Sequence, residues 1–135
     1  WHTHHDTRSR KRSIYIYKQR SLSMPFMQAF ASLVCAQSRP RRRTSVTPLQ
    51  ALAMYNGDFV NEEAHFFAER LRRSHKTATP DELVHQAFLL AYTREPDTDE
   101  SHRLATFLAS APPGEDRLSG LCRVLLNSNE FIYID

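Results

Sequence analysis

The sequence predicts an all-α fold, a helical bundle of about four to five helices behind an extended basic N-terminal segment. Three observations lead there. From Leu49 onward the apolar residues recur at helical spacing, and recognisable capping residues open several of those stripes. Glycine is scarce, at three in 135 residues, which also excludes the glycine-built phosphate cradles of nucleotide-binding folds. The links between stripes are short, and amphipathic helices so linked can bury their apolar faces only against one another.

Residues 1–11 are polar, basic and His-bearing without apolar period, and read as an arm; 12–135 read as a single helical domain. Between 12 and 20, Ile14 and Ile16 alternate with Ser13, Tyr15 and Tyr17, the pattern of one short strand or of an extended segment laid over helices. Residues 24–34 carry Met24, Phe26, Met27, Phe30 and Leu33 nearer to helical spacing, and 37–46, with Pro40 and three consecutive arginines, form a loop. Thr47-Pro48 supplies a cap followed by proline at the first helical position, and Asn56-Gly57 should close that helix with a left-handed residue. Phe59, Val60, Ala64, Phe67, Ala68 and Leu71 make the next stripe. Thr79-Pro80-Asp81-Glu82 is a capping box ahead of Leu83, Val84, Ala87, Phe88, Leu90 and Ala91. Pro96 breaks the chain, Asp97 or Thr98 caps again, and Leu104, Phe107 and Leu108 follow. A Pro112-Pro113-Gly114 turn then leads to Leu118, Leu121, Cys122, Leu125 and Leu126. The alternation of residues 131–134 suits a short two-stranded ribbon with the Ile14 run.

The composition, 41% hydrophobic and 24% charged, is that of a globular chain, and a mean hydropathy of −0.54 leaves no stretch apolar enough for a membrane span. Charge is divided unevenly. Residues 1–43 hold ten Lys/Arg against one acid, giving +9, and residues 44–135 hold eight against fourteen, giving −6. Such a split suits an arm folded onto its own acidic body, or an anionic partner such as nucleic acid. The intramolecular reading is the simpler one, because no nucleic-acid-binding motif accompanies Arg8 to Arg12, Arg39 to Arg43, Tyr15 or Tyr17. The chain opens on Trp1 without an initiator methionine or signal sequence, and reads as part of a longer protein. Cys35 and Cys122 belong to no CxxC, which excludes a zinc ribbon and a covalent c-type haem in this stretch; they are candidates for one disulfide in an oxidising compartment, or for buried free thiols in a reducing one.

No string forms a catalytic signature. His2-Thr3-His4-His5-Asp6 approaches the HxHxDH zinc signature of metallo-β-lactamase-fold hydrolases, yet Thr7 stands where the last histidine belongs and no apolar strand precedes it. There is no G-x-S-x-G elbow and no HExxH helix. Glu62-Glu63, Asp81-Glu82 and Asp97, Asp99 and Glu100 fall in expected first helical turns, where a carboxylate complements the dipole. His65, His75, His85 and His102 are scattered singly. No catalytic residue, metal ligand or cofactor site is therefore assigned.

Three stretches taken together carry a resemblance. They are Arg12-Ser13-Ile14-Tyr15 with Lys18 and Arg20, then Cys35 through Arg42-Arg43 to Thr47-Pro48-Leu49-Gln50-Ala51-Leu52 and Asn56, and last Leu125-Leu126-Asn127-Ser128-Asn129-Glu130-Phe131. Arg94-Glu95-Pro96 before an acidic helix start fits as well, with Thr93 where the pattern usually has glycine. Over residues 12–135 the chain resembles the C-terminal part of the planctomycete PSD-one family, domain of unknown function 1553. The resemblance implies the end of a large exported multidomain protein, an extracytoplasmic location and, often, an upstream c-type cytochrome domain that would hold the haem. It carries over no catalytic residue.

The polar members of those strings are Arg42, Arg43, Gln50, Asn56, Asn127, Asn129 and Glu130. They are read as a hydrogen-bonded clasp between the first and last helices, or as the lining of a pocket. Within that clasp Glu130, placed at the C-terminus of the last helix, should find Arg42 or Arg43. The functional expectation is a non-catalytic packing or interaction module whose partners are other domains of the same polypeptide. Two alternatives stand beside it: an accessory part of a redox or carbohydrate-active enzyme with its chemistry upstream, and nucleic-acid binding through the basic arm.

Overall fold

A computed structural model describes residues 15, 26, 29, 30, 48–112 and 114–133. Among them are six helices and no strand: α1 (Pro48–Asn56), α2 (Asp58–Ser74), α3 (Pro80–Tyr92), α4 (Thr98–Ala109), α5 (Arg117–Leu126) and α6 (Asn129–Ile132). The protein is all-α, as its stripes and caps predict, with one short helix more than the pattern gives. The chain groups into two compact units, residues 1–53 and 54–135, and the division falls within α1. The sequence instead draws its boundary after residue 11. The structural division also separates charge, +9 in the first unit from −6 in the second.

Little of the first unit is described. Phe26 and Ala29 are helical, Ala29 is buried, and the Phe26 and Phe30 rings lie 4.9 Å apart at a tilt of 42°. Tyr15 stands exposed in a 3-10 turn, so the alternation around it is not a strand at that residue.

The second unit is built on one core. Ala64, Ala68 and Leu71 of α2, Val84, Ala87 and Phe88 of α3, and Leu118, Leu121, Cys122 and Leu125 of α5 form a continuous buried cluster. Leu104 and Leu108 of α4 pack against it partly buried. The two most extensive seams are α2 against α5 and α3 against α4. Leu71, Leu121, Val84 and Cys122 are fully enclosed. Truncating a leucine in such a place costs about 2–5 kcal/mol.

Helix starts follow the sequence closely. Thr79 accepts the Glu82 amide while the Glu82 carboxylate accepts the Thr79 amide, a complete capping box. Of the two candidates at the next start, Asp97 is the cap, and with Glu100 it forms a second box. Asp116 caps α5 and Ser128 caps α6. The first cap, Thr47, lies outside the described residues.

Helix ends depart from expectation. Gly57 has φ −70° and ψ 130°, an extended conformation that serves as the N-cap of α2 rather than a left-handed stop for α1. Because α2 opens at Asp58, Glu62 and Glu63 lie beyond its first turn, and Asp58 is the acid beside the dipole. Asn127 ends α5 in a right-handed conformation (φ −93°, ψ −2°). The left-handed non-glycine residue among those described is Thr93, at φ 58°, closing α3. The tail contributes no strand: Phe131 and Ile132 are helical in α6, and Ile14, the other half of the expected ribbon, lies outside the described residues. No described helix is long and apolar enough to cross a membrane.

Candidate functional site

The densest polar constellation among the described residues gathers around Arg94, two residues past the end of α3. Pro96 cannot continue a helix, and Thr93 has already turned the chain, so the loop presents Arg94 between α4 and α6. Its Nε and Nη2 donate to the two oxygens of Glu130, at 2.6 and 2.9 Å. Its Nη1 and Nη2 donate to the two oxygens of Glu100, at 2.8 and 2.9 Å. The remaining Nη1 hydrogen reaches the Glu95 carbonyl at 3.0 Å. All five guanidinium donors are thereby engaged, in two bidentate forks. The group also lies over the Phe88 and Tyr92 rings, 5.2 and 5.5 Å from their centroids.

Each carboxylate does a second task. Glu100 closes the capping box of α4 by accepting the Asp97 amide at 2.8 Å. Glu130 sits in the first turn of α6, where its charge suits the dipole. The hydrogen bonds from Arg94, aided by the Asp97 amide, hold the Glu100 carboxyl down at about 2. Arg94 also lowers Glu130 from the usual carboxylate range. In return Glu100 and Glu130 hold the guanidinium above its ordinary value.

Tyr92 extends the cluster. Its hydroxyl donates to Ser128 Oγ at 2.8 Å, and Ser128 Oγ donates to the Leu125 carbonyl at 2.9 Å while accepting the Phe131 amide at 3.2 Å. One hydrogen-bond chain thus joins the end of α3, the last turn of α5 and the start of α6. Burial raises the Tyr92 hydroxyl above its ordinary value, against the hydrogen bond to Ser128.

A second constellation lies on the seam between α2 and α5. Asp116 caps α5 through the Ser119 amide (3.1 Å), accepts the Ser119 hydroxyl (2.7 Å) and pairs with Arg72. Burial would raise the Asp116 carboxyl, but the bonds from Ser119 and Arg72 outweigh it and bring it to about 2. His65 Nδ1 stands 3.4 Å from Ser119 Oγ and 3.8 Å from Asp116. The residue types are those of a Ser-His-Asp triad, but the order of contacts is not. In a triad the base takes the serine proton on one ring nitrogen and is held by the acid on the other. Here serine and aspartate both face Nδ1, Glu69 stands 3.8 Å from Nε2, and the serine hydroxyl donates to the aspartate rather than to the ring. What the geometry shows is capping and pairing, with the Ser119 hydroxyl held by Asp116.

The candidates singled out in the sequence come to different places. Glu130 is found paired with Arg94; Arg42 and Arg43, its expected partners, lie outside the described residues. Because α5 stops at Leu126 and Ser128 starts a new helix, Glu130 is at a helix start rather than at an end. Of the expected clasp members that are described, Glu130 ties the α3–α4 loop to α6. Asn127 serves that junction by donating from Nδ2 to the Arg123 carbonyl at 2.7 Å, and Asn129 accepts the Tyr133 amide through its carbonyl at 2.9 Å. Asn56 is the exposed last residue of α1, and Gln50 lies on the same helix within the first unit. Cys122 is a buried free thiol pushed up to about 12 by burial, and Cys35, its candidate partner, lies outside the described residues. So do the His2 to Asp6 string and both arginine clusters. Among the described residues no group of three or more His, Cys, Asp or Glu side chains is placed to hold a metal ion.

Sequence reasoning missed Arg94 and Tyr92 as site residues. The signal was an arginine two residues before a proline and a capping box, with its carboxylate partners 6 and 36 positions onward.

A family model described as a protein of unknown function (DUF1553) matches residues 1–108. The match takes in the basic arm, residues 1–11, and stops short of the Leu125 to Phe131 string. No curated protein and no solved structure matches the chain. With four-fifths of its length inside the match, the chain belongs to the DUF1553 family.

Proposed function

We propose, for this chain of the DUF1553 family, a packing and interaction module that docks on other domains of a longer polypeptide and leaves chemistry to them. The observation that carries this reading is the Arg94 junction. Its guanidinium, both carboxylates and the neighbouring hydroxyls are already engaged with one another, and what they accomplish is to hold three helices and a loop together. Groups so fully paired are suited to fixing geometry rather than to binding a substrate.

The resemblance of the sequence strings supplies the context of the proposal: an exported protein, acting outside the cytoplasm, with any haem in an upstream domain. This stretch itself does not suit covalent haem, since its two cysteines lie far apart in sequence. Amide hydrogen exchange of the chain alone and within the complete gene product tests the reading. Docking slows exchange across a contiguous set of amides in α2 to α6 in the complete product. Identical exchange in the two would overturn it.

A further inference from the structure

We draw no further inference here: the strongest candidate, the uncharged face of α1 that leaves Leu49 and Leu52 more than half exposed, is an apolar face and nothing in the structure shows what covers it.

Discussion

At the scale of single residues, two side chains carry testable consequences. Thr93 is β-branched and held at φ 58°, a conformation that costs an L-residue about 1–2 kcal/mol. Glycine removes that strain but gives back about 0.5–1 kcal/mol in chain entropy. Thr93→Gly is therefore expected to stabilise by roughly 0.5–1 kcal/mol, read as a higher urea midpoint; a lower midpoint would mean that the Thr93 hydroxyl, bonded to the Tyr92 carbonyl at 2.6 Å, matters more than the strain. Glu100 gives a pH dependence of definite sign. Its folded value, about 2, lies below the ordinary 4.5, so its stabilisation is complete above the ordinary value. It fades as acid protonates the unfolded chain first, and is gone near pH 2. Asp116 is lowered to a similar value, so the two must be separated by mutation. Glu100→Gln should be less stable than the parent at pH 7 and should lose less on going from pH 5 to pH 3. Equal losses in parent and variant would show that Arg94 does not hold this carboxylate.

At the scale of elements, starts were legible and stops were not. A capping box is local, written within four residues: Thr79-Pro80-Asp81-Glu82 forms as the sequence says, and Asp97, one of two candidate caps, makes a second box with Glu100. A stop depends on what the next segment needs. The sequence marks Gly57 as the left-handed stop of α1, whereas the immediate restart at Asp58 requires an extended cap there. The same thing happens at Asn127, where Ser128 reopens the chain as α6. A four-residue helix has no stability of its own, so α6 exists through its cap and its ties to Tyr92 and Arg94. Ser128→Ala removes the cap and the acceptor of the Tyr92 hydroxyl together, and is expected to cost about 1–2 kcal/mol. Amide exchange at Phe131 should rise sharply in this variant. Unchanged exchange there would mean that α6 is held by other contacts.

At the scale of the molecule, the composition and stripes were enough for the all-α class and for most of the buried cluster, because burial follows periodicity. Val60, Ala64, Ala68 and Leu71 are enclosed as their spacing predicts, whereas Phe59 at one edge of that stripe stays 37% exposed. The candidate site was half legible. The sequence singles out its carboxylates, Glu130 for a clasp and Glu100 for a first helical turn, but the arginine that joins them lies in a loop and has no periodic pattern. Long-range pairing of this kind is set by how helices meet, which one sequence does not spell out. The central claim is that Arg94 ties the α3–α4 loop to α6 through Glu130. A double-mutant cycle on Arg94→Ala and Glu130→Ala, followed by urea denaturation at low ionic strength, tests it most directly. The claim predicts that the double variant loses less stability than the two single losses added together. Strictly additive losses would contradict it.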